Sequence, residues 1–151
     1  MRKMTTYKDF VGELTANYRR TTRPTVQITH SKVAADFIRP YFDYVMDDHE
    51  EAKVIHVNHE NMIVNVHHVS SGTDTATLIP VKTIIRDAIL IKTTGIILVH
   101  NHPSGQTRFS KADIDISKKV ETACSYFDIR FLDSMILTRE SYRSMRDEGL
   151  L

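Results

Sequence analysis

Two histidines, a serine and an aspartate lie close together in the segment HNHPSGQTRFSKAD, which covers residues 100–113. They are His100, His102, Ser110 and Asp113, in the pattern His-x-His-x7-Ser-x2-Asp. Imidazole nitrogens and carboxylate oxygens bind zinc, and a hydrolytic zinc site usually has three protein ligands and a water at the fourth tetrahedral position. The spacing therefore predicts a catalytic zinc site whose protein ligands are His100, His102 and Asp113.

A strand and a helix are predicted on the two sides of this motif. Residues 95–100 (GIILVH) are apolar, rich in β-branched side chains and followed by a turn signal, which indicates a buried strand. Alternate residues of an extended chain point to the same side, so His100 and His102 can face one ion while Asn101 faces away. After the turn the apolar positions take helical spacing, which puts Asp113 in the first helical turn. Strand end, turn and helix start would thus bring the three ligands together.

The pair Ser110 and Asp113 also has a purely structural interpretation. A serine followed three residues later by an acidic residue is a common helix start, in which the serine hydroxyl accepts a hydrogen bond from a free backbone amide. The two interpretations are compatible, because a capping serine can still point its hydroxyl group toward a substrate bound at an adjacent metal. The string His-Asn-His is not by itself the signature of an HNH nuclease, whose named residues are spread over tens of positions.

The motif resembles the JAMM (JAB/MPN) metalloprotease signature, and HNHPSG followed by Ser and Asp is similar to its RadC-like bacterial branch. The similarity begins at SKVAADF, which starts at Ser31, and continues through GTDTATLIPVKTIIRDAI to ILTRESYRSMRDEGLL at the carboxyl end. The order of these features matches short, stand-alone RadC-like JAB domains. The helix-hairpin-helix module that precedes the domain in longer RadC proteins is not expected in this chain.

The resemblance implies an α/β structure with the JAB/MPN (cytidine deaminase-like) fold, in which a central mixed β-sheet has helices on both faces. It also implies one Zn²⁺ per chain and an upstream glutamate that acts as general base. Aligning EEAKVIHVN with the family pattern selects Glu50, with Glu51 as the runner-up. Neighbours on a strand face opposite sides, so only one of the two can face the site. Glu60 is a weaker candidate, because it lies in a predicted hairpin turn.

The function implied is metal-assisted hydrolysis of a peptide, isopeptide or other amide. Zinc lowers the pKa of a bound water from about 16 toward roughly 7, which makes hydroxide available at neutral pH. Glu50 would take the proton of the water and return it to the leaving amine. Ser110 would donate a hydrogen bond to the oxyanion, a contribution that is typically worth about a hundredfold or more in rate.

Two other functions stay open. The first is a DNA-repair or mobile-element accessory protein that binds a protein or DNA partner without turnover, in keeping with the historical DNA-repair label of the RadC family. The second is a noncatalytic scaffold that keeps the fold, with or without the metal. An intact set of ligands, serine and candidate base is the pattern least expected of such a degenerate copy.

Composition limits the classes of partner. With 151 residues, 20 basic and 19 acidic, the formal net charge is +1, so there is no general basic field for nucleic acid or membrane surfaces. The first segment is locally basic and could contact phosphate or an acidic partner, although such a cluster is more often a solvated face. The single cysteine, Cys124, excludes an internal disulfide and is compatible with the reducing cytoplasm. No apolar stretch approaches the roughly twenty residues of a membrane span.

Two regions are predicted along the chain: a partly helical N-terminal basic segment over residues 1–25 and the RadC-like JAB/MPN domain over residues 26–151. The first segment is expected to contain a helix over residues 7–18, and a helix capped by Ser31 opens the domain. Further strands are predicted at residues 52–57, 62–70, 75–79 and 95–100, and one or two strands at residues 129–137. Further helices are predicted at residues 81–92 and 110–126, and a short final turn or helix at residues 140–145.

The remaining histidines are not expected to form a second metal site. Adjacent residues such as His67 and His68 point to opposite faces of a strand, and a histidine on a strand is more often a hydrogen-bonded residue than a ligand. His56 is the one to watch, because it shares the side of Glu50 if the strand has no bulge.

Overall fold

The computed structural model describes residues 10–72, 78–91 and 93–151. These residues form a five-stranded mixed sheet of order β2-β1-β3-β4-β5, with an α-helix on one face and two on the other. The strands are β1 (Glu51–Val57), β2 (Ile63–Ser71), β3 (Gly95–Asn101), β4 (Arg130–Leu137) and β5 (Tyr142–Ser144), and the helices are α1 (Ser31–Ile38), α2 (Val81–Leu90) and α3 (Lys111–Ser125). The predicted mixed sheet with helices on both faces is confirmed.

Strands β1 and β2 form the predicted antiparallel hairpin. Its turn is organised by Asn58, whose side-chain oxygen accepts the backbone N–H groups of Glu60 and Met62, each at 3.0 Å. Asn61 adopts the left-handed conformation (φ 59°), which asparagine tolerates better than most residues. The turn residues therefore carry their own hydrogen bonds and fix where β1 and β2 begin to pair.

Strands β3 and β4 are the parallel pair, and α3 connects them. Parallel neighbours need a crossover long enough to return the chain to the same end of the sheet, and the fifteen residues of α3 supply it. Because the crossover starts at the carboxyl end of β3, the beginning of α3 lies next to the histidines that close this strand. The connection thus positions both halves of the motif.

The alternation of side chains along β1 and β3 divides the core into two layers. One set packs against α1 and the other against α2 and α3, and every residue of both strands is buried. The first set contains Ile55, Val57, Ile97 and Val99, and the second contains Ala52, Val54, Ile96 and Leu98. Burial of a large aliphatic side chain stabilises a fold by about 1.5–3 kcal/mol, so this central strand pair holds the end of β3 rigidly.

The first segment differs from the prediction. Residues 10–18 form no helix and are exposed, so the predicted helix over residues 7–18 is wrong over this part, and residues 7–9 lie outside the described residues. The physical reason is that the segment packs no apolar side onto the domain, since Val11 and Leu14 are largely exposed. An isolated helix of this length is marginal in water without such packing.

Two other local predictions need correction. Ser31 is the first residue of α1 and does not cap it, because its hydroxyl instead donates to Asp147 Oδ2 at 2.5 Å. Residues 140–145 contain strand β5 instead of a turn or helix, with Tyr142 and Ser144 paired to β4.

Most of the predicted strand over residues 75–79 lies outside the described residues, and residues 78 and 79 belong to no strand. In the described part of the chain, every helix is too short or too polar for a bilayer crossing.

Candidate metal centre

The carboxyl end of β3 places two imidazoles side by side. His100 pairs with Ile136 of β4, and the extended chain continues past the strand end because the His102 backbone N–H donates to the Leu137 carbonyl at 3.0 Å. Both side chains therefore point to the same face, as the sequence predicted. Their Nε2 atoms lie 3.0 Å apart, and Asn101 between them points to the other face.

The beginning of α3 supplies the carboxylate. The Ser110 hydroxyl oxygen accepts the Asp113 backbone N–H at 3.0 Å, and Asp113 Oδ2 accepts the Ser110 backbone N–H at 2.9 Å, which is a complete capping box. These reciprocal bonds fix the rotamer of Asp113. Asp113 Oδ1 then lies 3.4 Å from His100 Nε2, and Oδ2 lies 3.8 Å from His102 Nε2.

These three side chains can hold a metal ion. One ligand atom from each of His100, His102 and Asp113 lies within 4.8 Å of the others, and they are the one such group of three or more found among the described residues. Tetrahedral bonds of about 2.0 Å put neighbouring ligand atoms about 3.3 Å apart. The separations of 3.0 Å between the two Nε2 atoms and 3.4 Å between His100 Nε2 and Asp113 Oδ1 are close to this value. His102 Nε2 and Asp113 Oδ2 are 3.8 Å apart, so a shift of a few tenths of an ångström would bring the three donor atoms around one small cation.

The hydrogen bonds and pKa shifts of His102 and Asp113 favour the protonation states that bind a metal ion. His102 Nδ1 donates to the Gln106 carbonyl at 2.8 Å, which leaves the Nε2 lone pair free to face the site. Burial and the neighbouring His100 lower the pKa of His102, which favours the neutral ring. Burial alone would raise the pKa of Asp113, but hydrogen bonds and charge from His100 and Ser110 lower it to about 2. Neutral imidazole and ionised carboxylate are the forms that bind metals.

Glu50 immediately precedes β1, and its side chain faces His100, His102 and Asp113. Its Oε1 lies 4.0 Å from His102 Nε2, and only a tenth of its side chain is exposed. Burial raises the pKa of Glu50, and the nearby Asp113 carboxylate raises it further, whereas His100 lowers it. A carboxylate held close to a metal position with a raised pKa has the properties of a general base.

Glu51 points away from the site and is engaged elsewhere. Its carboxylate accepts hydrogen bonds from Tyr44, His49, Lys53 and Ser71 at 3.0–3.3 Å. Burial would raise the pKa of Glu51, but the bonds from His49 and Lys53 lower it. The two neighbours thus face opposite sides, as expected, and Glu60 lies in the exposed hairpin turn.

A single cavity of about 520 Å³ joins these groups. All five residues singled out from the sequence line it: Glu50, His100, His102, Ser110 and Asp113. The apolar side chains of Leu98, Ala112 and Ile116 line it as well, as do Leu78 and Ile79. The cavity therefore offers space for an extended substrate next to the possible metal position.

Sequence reasoning missed what Asn101 does on the other face. The side chain is fully buried and hydrogen-bonds to the chain around Glu50. A signal was available: an asparagine between two residues that face a cavity must point into the layer behind it, where a buried carboxamide requires partners.

The other histidines form no second group of metal-ligand geometry in the described ranges. His56 lies on the α2 and α3 side of β1, at the opposite end of the strand from Ala52, which pairs with His100.

Three curated proteins that are similar to this chain are all described as UPF0758 proteins. A UPF0758 protein of Flavobacterium johnsoniae is 36% identical over 124 residues, which cover 82% of this chain and 53% of that protein. A UPF0758 protein of Symbiobacterium thermophilum is 31% identical over 126 residues, covering 83% of this chain and 53% of the relative. One of Streptococcus gordonii is 36% identical over 99 residues, 66% of this chain and 44% of its own length. The chain thus spans about half the length of these curated relatives.

A family model described as RadC-like JAB domain matches residues 28–150. The matched range contains the whole sheet, the three α-helices and the cavity described above. The mixed five-stranded sheet with helices on both faces agrees with a JAB/MPN-type fold. The chain belongs to the RadC-like JAB domain family.

Proposed function

We propose that this domain is a zinc-dependent hydrolase of amide bonds, of the JAMM metallopeptidase or isopeptidase type. One observation carries the proposal: His100, His102 and Asp113 converge within 4.8 Å, in a cavity that Glu50 and Ser110 also line. The donor set of two nitrogens and one oxygen is typical of catalytic zinc sites, which keep a position open for water.

When bound, zinc would supply a Lewis acid and lower the pKa of a coordinated water toward roughly 7. Glu50 is the proton carrier of the proposed reaction. Its Oε1 receives the proton of the attacking water and gives it to the nitrogen of the leaving amine. The raised pKa of Glu50 favours this exchange, because a carboxyl group is a better acid and base when its pKa approaches the working pH.

Ser110 can act on the substrate while it caps α3. Its oxygen accepts the Asp113 N–H, so the hydroxyl hydrogen is left for another acceptor. We assign that hydrogen to the carbonyl oxygen of the scissile amide, which becomes negatively charged during attack. The structural and the catalytic interpretation of Ser110 are then satisfied by different atoms of one hydroxyl group.

Metal content tests the first part of this proposal. Protein purified without added metal or an affinity tag is analysed by elemental mass spectrometry, beside His102→Ala. We expect near one zinc per chain in the native protein and a loss of zinc in the variant. Absence of zinc in both, together with no binding of added zinc, would refute the hydrolase proposal.

A peptide and isopeptide library tests the second part, with cleavage followed by mass spectrometry. We expect Glu50→Gln to keep zinc and to lose cleavage. Glu60→Gln is the matched control, because it makes the same chemical change in the exposed hairpin turn. Equal cleavage by Glu50→Gln and the native protein would remove Glu50 as the base.

Partner binding without turnover is the second candidate function, and a basic groove favours it. The groove, about 1010 Å³, lies between residues 18–25 and the start of β2 and contains Arg19, Arg20 and Arg23. Arg23 stacks 3.7 Å above the Phe37 ring. Salt-dependent retardation of DNA, lost in a double variant with Arg19→Ala and Arg20→Ala, would support this candidate, and no retardation at low salt would argue against it.

A further inference from the structure

Asn101 is the buried residue between the two histidines, and its carboxamide is fully hydrogen-bonded. Its Oδ1 accepts the backbone N–H of Glu51 at 2.7 Å. Its Nδ2 faces three backbone carbonyl oxygens, those of His49 at 2.9 Å, Met46 at 3.2 Å and Val45 at 3.3 Å. One side chain of β3 thus anchors the whole segment that leads into β1.

The positions of these bonds single out Glu50. The His49 carbonyl belongs to the peptide unit before Glu50, and the Glu51 N–H belongs to the unit after it. Fixing both planes fixes the two backbone dihedral angles of Glu50, since φ and ψ describe the rotation of these planes about its Cα atom. The direction in which the Glu50 side chain leaves the backbone is therefore set by a carboxamide on the strand that carries the histidines.

Other anchors at this position are few. Glu50 precedes β1, so the ladder between β1 and β3 begins only beyond it, with Ala52 opposite His100. The Glu50 carbonyl accepts the Gly72 backbone N–H at 2.8 Å, which ties it to the end of β2 instead of to the strand of the metal site. Asn101 is thus the direct hydrogen-bonded link, among the described residues, between β3 and the peptide units on both sides of Glu50.

We infer that Asn101 is the positioning residue that holds Glu50 over the His100, His102 and Asp113 group. This inference rests on the proposed function, in which Glu50 is the base. Adjacent residues at the carboxyl end of β3 and just beyond it then perform two tasks: His100 and His102 hold the metal on one face, and Asn101 positions the base from the other. The distance between base and metal then depends on the geometry of one strand, and a misplacement of about 1 Å in such a group can lower a rate about a hundredfold.

Cobalt substitution provides a test that needs no known substrate. The Co²⁺-loaded native protein is compared with Glu50→Gln, Asn101→Ala and the double variant by visible absorption, because the d–d bands respond to the surroundings of the open coordination position. We expect Glu50→Gln and Asn101→Ala to shift the bands in the same direction, and the double variant to shift them no further than Glu50→Gln. Cobalt stoichiometry should stay near one per chain in all four proteins.

Two further variants separate positioning from stability. Ser144→Ala removes a buried hydroxyl that bonds Asp133 in the β4 and β5 pair, away from Glu50. We expect it to lower the melting temperature and leave the cobalt bands unchanged. Asn101→Ser leaves room for a water that can replace some of the lost hydrogen bonds, and it should give a smaller band shift than Asn101→Ala.

The outcomes divide clearly. An unchanged spectrum in Asn101→Ala, or a double variant whose shift is the sum of the two single shifts, overturns the inference and leaves the proposed function intact. If Glu50→Gln itself has the native spectrum, or the native protein binds no cobalt, the inference about Asn101 and the proposed function are both refuted. Failure of both Asn101 variants to fold also counts against the inference, because Asn101 would then serve the fold as a whole. When a cleavable amide is found, Asn101→Ala should lower kcat about ten- to a hundredfold with little change in KM.

Discussion

Acid should destabilise this fold through His56. The side chain is fully buried in β1, its Nδ1 lies 3.3 Å from Asn65 Nδ2, and its Nε2 has no hydrogen-bond partner among the described residues. Burial, with the neighbouring His67 on β2, lowers the pKa of His56 from 6.5 to about 4, although Asp87 on α2 acts in the opposite direction. The folded protein therefore keeps His56 neutral at pH 5, whereas the unfolded chain binds a proton there.

The sign and size of the effect follow from this difference. The contribution of His56 to the free energy of unfolding is fully present above pH 6.5, decreases as the pH falls and levels off near pH 4. The reason is that the unfolded state binds more protons than the folded state within that window. Each pKa unit corresponds to about 1.4 kcal/mol, so the whole window is worth about 3 kcal/mol, and the step from pH 7 to pH 5 is worth about 2 kcal/mol.

Urea unfolding of the native protein and of His56→Met at pH 7 and pH 5 measures this contribution. Methionine has a similar size and does not titrate, so other groups cancel in the comparison. We expect the native protein to lose about 2 kcal/mol more than His56→Met between the two pH values. His59→Gln, in the exposed hairpin turn, is the control and should keep the native pH dependence. Equal pH dependence in the native protein and His56→Met would refute the reasoning.

Three shorter predictions concern other buried or capping groups. Glu51→Gln leaves the buried Lys53 ammonium without the Glu51 carboxylate as its ion-pair partner. It should lower the free energy of unfolding by about 3 kcal/mol in urea titrations, and a change below about 1 kcal/mol would show that this ion pair is dispensable. Ser110→Ala removes the acceptor for the Asp113 N–H and should cost about 1 kcal/mol while zinc content, measured by elemental analysis, is retained; loss of zinc would mean that the cap holds the ligand. Burial raises the pKa of Cys124 to about 11, so iodoacetamide should modify it at pH 7 only after unfolding, and rapid labelling of the native protein would contradict its burial.

The local patterns in the sequence predicted the fold well where burial and periodicity agree. The continuous apolar run before His100 is strand β3, which is buried on both faces, and the helical spacing after Ser110 is α3, whose apolar side packs on one layer of the core. The prediction failed at β5, where only three residues pair with β4. A strand that short has too little alternation to be distinguished from a turn, and its pairing is decided by a distant neighbour.

The proximity of the three candidate metal ligands was predictable from the sequence, whereas the residues that support them were not. His100, His102 and Asp113 lie within one short segment, so spacing alone brings them together. The contact of Asn101 with residues about fifty positions earlier, and that of Ser31 with Asp147, depend on how the sheet is assembled. Spacing in the sequence does not indicate such partners, although burial demands that they exist.

The separation of Glu50 from the ligand segment has a consequence for how such domains diverge. The candidate metal ligands lie at the end of β3, at His102 just beyond it and at the start of α3, whereas Glu50 belongs to the chain that enters β1. Substitutions in the few residues before β1 would therefore abolish the proposed hydrolysis and leave the candidate metal ligands intact. Under the proposed function, a domain that binds zinc and does not hydrolyse amides is then only a few substitutions away, so metal content and hydrolysis have to be measured separately in each member.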